Sequence, residues 1–561
     1  MKILTCLMLL ISSVAFAQYQ FISPMPGSQM NNTERIIVIR EGKQIDASTL
    51  KNNLFTIKGS KSGLHTFKMI LTRDGKTINL NPDMPFAFDE EVTVTISNGI
   101  RSTEKRKWIA YSFSFKTHRE YTTEEKANFI TAKNDALQQE LDNNGYQEAK
   151  ALSSQADERD ITGGYTIKVN TTPAPGQVFF DSWGSIFPSK YDGYNIMEPN
   201  GDSVYYSPKV GAPWDWDLNP NGYLSHWTNA TFDVLDSNYN VIDNYTPKNG
   251  YGTDVHEFTL TEDNHAWMIT DNPQVVNMKV YNASYCGNAT VVGIVIQEQD
   301  EDHNLLFEWH SFDHIDVTEA PHENLASCYI DYMHTNSLDF DADGNILTSN
   351  RHLDQINYIN KNTGEFIWRL GGDSNQFVFI NDAEKFTYQH CARFLDNGNI
   401  TLWDNGNYHS PSHSQAKEYE IDGVNKTATL VWHYQPLNYS GGNGYWFAMG
   451  STQRLPNGNT FMGCGWDFSS NQSNFFEVDP AGNVVWEMAL DNGKSLVSYR
   501  GWKHEWNPCA PVNEDGIKVK KITSTSAKVV WDSVSNATSY DVQYRKAKNT
   551  EWKVKNTIKI S

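Results

Sequence analysis

An all-β fold is predicted by three features of the 561-residue sequence. The first is composition: 17 Trp, 27 Tyr and 27 Phe bring aromatics to 13 %, beside 37 Gly, which favours strands and turns over helices. The second is punctuation. Tight turns such as Asp343-Gly344-Asn345 and Asn397-Gly398-Asn399 interrupt short apolar, strand-like runs. The third is an internal repeat between about 160 and 508, in which a Gly-Asn turn joins two strands, a second turn follows, and a further strand ends in Trp. Trp309, Trp368, Trp432 and Trp486 close successive copies roughly 60 residues apart, enough for about four strands with insertions. With room for further copies in residues 160–250, a six-bladed β-propeller is expected. Its ring would leave no long free edge, and its channel would collect side chains from the inner strand of every blade.

Charge narrows the partners. The 46 Lys and Arg against 67 Asp and Glu give −21, so the surface repels nucleic acid and anionic lipid, and no basic patch offsets this. No Gly-rich strand-to-helix phosphate loop and no complete metal shell is seen, so no cofactor and no metal are expected.

Residues 1–17 pair Lys2 with an apolar core from Ile3 to Leu10 and small residues at Ala15 and Ala17, the pattern of a secretory signal peptide cleaved before Gln18. A secreted, periplasmic or cell-surface bacterial protein is expected. No later run is long and apolar enough to span a bilayer. Cys6 leaves with the peptide, and Cys286, Cys328, Cys391, Cys464 and Cys509 remain, an odd number whose pairing the sequence does not decide.

Residues 18–118 alternate strands and turns over the length of a small β-sandwich. With a Ser-Pro-x-Pro-Gly turn at Ser23 to Gly27 and a Gly-Ser-x-x-Gly turn at Gly59 to Gly63, they resemble bacterial Ig-like domains, here expected as a spacer or accessory unit. Residues 119–159 are rich in Glu, Lys, Gln and Ala and lack Pro. They predict a helical linker capped at Thr122 or Thr123, expected only to set the angle between its neighbours. Residues 509–561, with Trp531, Tyr540 and Tyr544, resemble the first half of a fibronectin type III domain.

The stretch from Asp331 to Asn407 concentrates polar residues at or near the starts of strands: His334, Asn336, Ser349, Arg351 and His390. Together with Asp254-Val-His256-Glu-Phe258, Trp309-His-Ser311-Phe-Asp313-His314, Arg351-His352, Gln389-His390-Cys-Ala392 and Asp404-Asn-Gly406, these motifs resemble the arylsulfotransferase family over roughly residues 160–508. The resemblance implies transfer of a sulfuryl group from a phenolic sulfate to a phenol acceptor, without a nucleotide donor, through a sulfated histidine. It implies His390 as nucleophile, His334 and Arg351 as holders of the sulfate oxygens, and His256 as the group assisting the phenolic oxygen. Asn336, Ser349, His352 and His314 are the expected substrate-binding residues. The alternative is a propeller that keeps the scaffold and binds a glycan, phenol or protein at the cell surface without turnover. Oligomeric state is not legible.

Other patterns are weaker. Asp339-x-Asp341-x-Asp343 copies half a calcium loop but places Asn350 where a bidentate Glu is wanted, so a blade turn is expected. The i,i+4 pairs His310/His314 and His409/His413 lie on non-helical sequence, where that spacing splays the side chains. Trp214, Trp216, His226, Trp227, Tyr445 and Trp446 form an aromatic cluster that either walls a phenol pocket or packs between blades. Cys391 is expected on the opposite side of its strand from His390, in the core.

Overall fold

The structure is a computed structural model. It describes residues 19–147, 150, 164–184, 192–209, 212–468, 472–490 and 496–506, and four short segments beyond (518–520, 528–531, 539–544 and 553–559). The expected signal peptide, Cys509, most of the linker after 147 and most of the fibronectin-like segment lie outside these residues.

Two four-stranded sheets make the N-terminal sandwich. In strand Phe55–Gly59 buried and exposed residues alternate strictly, the signature of a sheet with one face on a core. Ile37, Ile39, Ile57, Ile78, Leu80, Val92, Val94 and Phe115 fill the space between the sheets. The sandwich is not a loosely tethered spacer. Phe21 stacks on Phe307 with ring centroids 4.7 Å apart, and Asn249 Oδ1 accepts from the Ile36 amide at 2.9 Å. The buried Arg35 guanidinium pairs with Glu308 and donates to His310 Nε2 at 3.1 Å.

After the sandwich comes helix α1 (Thr123–Asn143). Thr122 and Glu125 form a reciprocal capping box, and Glu124 and Glu125 suit the positive end of the helix dipole. Only Leu141 is buried along its length, so packing holds α1 weakly: one buried leucine contributes about 2 kcal/mol.

Six four- or five-stranded sheets follow and make a propeller-like body. The fourth sheet shows the basic plan, its strands pairing antiparallel in chain order, Thr335–Phe340, Ile346–Asn350, Gln355–Ile359, Phe366–Gly371, while the third and fifth each add a parallel strand, Tyr329–Asp331 and Val378–Ile380. Both ends of the region are exchanged between the first and last sheets. Tyr165–Asn170 pairs with Val484–Leu490 as the outermost strand of the sixth sheet, while Gly501–His504 pairs with Gln177–Gly184 in the first.

Adjacent sheets bury continuous apolar layers. Trp368, Leu347 and Ile356 of the fourth sheet pack with Ala392, Leu402 and Tyr419 of the fifth. Cys286 and Cys328 form a disulfide across a 42-residue separation, bridging the segments that lead into the parallel pair Ala289–Gln299 and Tyr329–Asp331. Among the described residues no helix is long and apolar enough to cross a membrane.

Candidate active site

The innermost strands all begin at the same mouth, and the residues leading into them carry the polar chemistry. Asp254 and His256 precede Phe258–Leu260, His334 precedes Thr335–Phe340, and His390 opens His390–Phe394. Met449 precedes Ser451–Arg454, and Tyr499 and Arg500 precede Gly501–His504. Several of these positions hold left-handed backbone in non-glycine residues: His334 (φ 48°), Tyr388 (φ 53°), Cys391 (φ 56°) and Met449 (φ 66°). Such conformations cost of order 1 kcal/mol or more each and persist only where the surroundings dictate them. Of the four, His334 joins the cluster at the mouth, whereas the Cys391 side chain is buried in the core.

His256, His334, His352, Arg351 and His390 meet there. The His256 and His334 rings lie 4.9 Å apart, the His334 and His352 rings 4.6 Å, and Arg351 Nη1 donates to His352 Nε2 at 2.8 Å. Arg351 and His390 bond the same loop, at the Phe447 carbonyl and the Met449 amide. Two carboxylates fix two of the rings. Asp331 Oδ2 accepts from His334 Nδ1 at 2.7 Å and Asp254 Oδ1 from His256 Nδ1 at 2.6 Å, which leaves each Nε2 as a lone pair facing the mouth. Burial drives His334 down to about 4, against the pull of Asp331, so its ring is neutral at ordinary pH.

His390 is 1 % exposed. Its Nδ1–H donates to Asn405 Oδ1 at 2.7 Å, and Asn405 is itself locked because its amide donates to the carbonyls of Trp446 and Met449. Burial, reinforced by the Arg351 charge, holds His390 well below the usual imidazole range. The remaining nitrogen, Nε2, accepts from the Met449 amide at 3.2 Å.

Arg351 is also buried, its guanidinium 4.2 Å above the Tyr388 ring. Nη2 donates to the Phe447 carbonyl at 3.1 Å and pairs with Glu140 of α1, while Nε has no hydrogen-bond partner among the described residues. A guanidinium left with a free buried donor beside neutral imidazoles is suited to an oxyanion.

Three of the expected binding residues need correction. Asn336 and Ser349 are fully buried and both donate to the Gln389 carbonyl, at 2.9 and 3.3 Å, so they brace the strand that carries His390 instead of lining the mouth. His314 does not join the cluster: it stacks on Trp309 with centroids 4.7 Å apart and borders an outer cavity of about 320 Å³ that Met30 of the sandwich also lines. Its distance from the mouth follows from its position after the outermost strand of its sheet, Leu305–His310. His352 does sit at the site. The linker expectation is also corrected, since α1 lies over the mouth and reaches Arg351.

The aromatic cluster divides. Trp214 lies beside His256 and Tyr499, and Tyr445 joins Leu141 of α1 in one layer, whereas Trp216 and Trp446 pack between sheets. Cys391 is in the core as expected, but through a bulge in its pairing rather than simple alternation. Asp341 closes its turn through Asp343, Asn345 and Tyr358. Among the described residues two groups bring three metal-competent atoms within 4.8 Å of one another, Asp331/His334/His352 and Glu384/His409/His413. In the first, His352 Nε2 already accepts from Arg351 and Asp331 Oδ2 from His334, while Asp331 Oδ1 is buried without a hydrogen-bond partner among the described residues. In the second, the His409 and His413 rings stack, which keeps their lone pairs from converging.

Sequence reasoning missed Glu140, Asn405 and Tyr388, and assigned no role to Asp331 or Asp254. The last two were visible as Asp-x-x-His and Asp-x-His spacings.

Residues 222–491 match the family model described as Arylsulfotransferase (ASST), and residues 18–117 match that of a bacterial Ig-like domain. The chain therefore carries an arylsulfotransferase family domain behind an Ig-like domain. That family domain makes it an aryl-sulfate sulfotransferase enzyme, with phenolic sulfates as the substrates the family implies. No curated protein matches the chain.

Similar solved structures include a protein of unknown function from Bacteroides caccae (12 % identity, covering 59 % of this chain and 100 % of that one, TM-score 0.38). Virginiamycin B lyase from Staphylococcus aureus (10 %, 60 % and 98 %, 0.31) and a periplasmic gluconolactonase from Pseudomonas aeruginosa (9 %, 56 % and 94 %, 0.31) are others. At these TM-scores nothing is drawn from them.

Proposed function

We propose that the protein moves a sulfuryl group from a phenolic sulfate to a phenol by way of a sulfohistidine at His390, with no nucleotide donor. The six sheets are read as six blades of one closed ring, and the site as one end of its channel. The observation that carries this reading is the convergence of a buried, neutral, Asn405-oriented His390 with a buried Arg351 that keeps a free donor.

In the first half-reaction, His390 Nε2 attacks sulfur, the S–O bond to the phenol breaks, and the phenolic oxygen keeps that electron pair. Sulfuryl transfer has a loose in-line transition state, so cationic hydrogen bonds to the equatorial oxygens do much of the work, and Arg351 supplies them. The Nδ1–H of His334 is spent on Asp331. This ring therefore donates to a sulfate oxygen only when Nε2 is protonated, and an anion beside it raises its affinity for that proton. A protonated Nε2 on His334 or His256 passes its proton to the leaving phenolic oxygen. In the second half the acceptor hydroxyl returns a proton to that nitrogen, its oxygen attacks sulfur, and the S–N electron pair goes back to His390.

An exported location fits the Ig-like domain and the disulfide. The test is incubation with p-nitrophenyl sulfate and a phenol acceptor. Acceptor-dependent release of p-nitrophenolate is expected; silence with a range of aryl sulfates would favour the binding-only alternative.

A further inference from the structure

Helix α1 presents two opposite charges on one face, and each finds its counterpart at the mouth. Lys133 pairs with Asp271 at 2.5 Å and also feels Asp254 and Asp331, the carboxylates that orient His256 and His334. Glu140, seven residues and two turns further along the same face, pairs with Arg351. Burial alone would raise the Glu140 carboxyl, but Arg351 and His352 outweigh it and hold it below its usual range. At the next position Leu141 packs in one layer with Phe447, Met449 and Tyr499. The loop under Leu141 is the one whose Met449 amide occupies His390 Nε2 and whose Phe447 carbonyl occupies Arg351.

Both reactive features of the mouth are thus held by protein groups, Arg351 by Glu140 of α1 itself and His390 by the loop on which Leu141 of α1 packs. Glu140 sits where an oxyanion would, and the loop that α1 presses on engages the lone pair that would attack.

We propose that α1 is a displaceable lid whose Glu140 carboxylate stands in for the donor's sulfate at Arg351 until the donor takes its place. This rests on the sulfotransferase reading only in taking Arg351 as the anion subsite. Lifting α1 frees Arg351, uncovers Leu141 and relieves the Met449 loop, so His390 is released as the anion arrives. The helix is built to let go: it buries one apolar residue, while Ile130 and Leu137 stay exposed at 68 % and 46 %. Its hinge is fixed at the other end, where Tyr121 bonds Gln274 and stacks on His118. A neutral phenol cannot compete with a carboxylate for a guanidinium, and a sulfate ester can, so the lid selects for the donor in the first half-reaction.

The test uses the full chain and inorganic sulfate, with chloride at matched ionic strength as control. Hydrogen exchange of residues 123–143 is expected to speed up with sulfate and not with chloride. Glu140→Gln, which keeps shape and removes charge, is expected to speed that exchange without sulfate and to tighten sulfate binding by calorimetry about tenfold. Lys133→Ala, which leaves the anion subsite untouched, is expected to loosen the helix to a smaller degree. With p-nitrophenyl sulfate, Glu140→Gln should lower KM.

Slower or unchanged exchange on sulfate binding, weaker sulfate binding by Glu140→Gln, or no sulfate binding by either protein would overturn the lid. Sulfate-driven opening in a protein that turns over no aryl sulfate would leave the lid standing and remove the sulfotransferase reading instead.

Discussion

At the scale of residues, the site depends on which nitrogen of each ring carries the proton. Asn405 can only accept at Oδ1, because its amide is committed to two carbonyls, so His390 must present Nε2 as a lone pair. Asn405→Ala removes that orientation without touching the substrate. It is expected to cut kcat by about 10- to 100-fold and leave KM for p-nitrophenyl sulfate nearly unchanged, as losses of ring-orienting partners do. Acidity gives a second prediction. His390 must be unprotonated to attack, and burial holds its proton affinity well below the normal range, so the ring stays competent as pH falls through 6.5. The acid limb of kcat/KM, measured from pH 4 to 9, is expected well below pH 6.5. A limb at or above 6.5 would mean that the titrating nucleophile is an unperturbed histidine. The aspartates behind His334 and His256 lie two or three positions away in sequence and were legible; the Glu140 to Arg351 pair, 211 positions apart, was not.

Among the elements, the inner strands were legible because turn chemistry and alternation mark them locally. Their bulges were not. His390 and Cys391 sit at a register shift between His390 and Arg393, where Asn336 donates to the Gln389 carbonyl and accepts from the Cys391 amide across 53 and 55 positions of chain. Helix α1 was legible as a helix from its capping box. Its covering of the mouth depends on single charges that look, in sequence, like an ordinary solvated face. The disulfide belongs to this scale too. Cys286 and Cys328 close a long loop beside Asp331, so replacing both by Ala should lower unfolding free energy in urea by roughly 2–4 kcal/mol, mainly through the unfolded chain. KM is expected to hold, because strand Tyr329–Asp331 keeps its parallel pairing with Ala289–Gln299.

For the whole molecule, the repeat of Trp-terminated units carried the propeller-like architecture, while the strand exchange between its first and last sheets did not appear in any single unit. It arises from strands at opposite ends of the region, Tyr165–Asn170 in the last sheet and Gly501–His504 in the first. Ile167→Pro would remove a ladder bond opposite Met488 at this exchange, and a loss of about 1–3 kcal/mol felt by all six sheets together is expected in a single cooperative transition. An early, separate transition would mean that the sheets are not one ring. The central claim is that this body relays a sulfuryl group through His390, and intact-mass analysis after exposure to p-nitrophenyl sulfate without acceptor tests it most directly. Wild-type protein is expected to gain one sulfuryl group, lost on adding phenol, and His390→Ala to gain none. An adduct retained at full stoichiometry in His390→Ala would move the nucleophile to His334 or His256 and contradict the assignment.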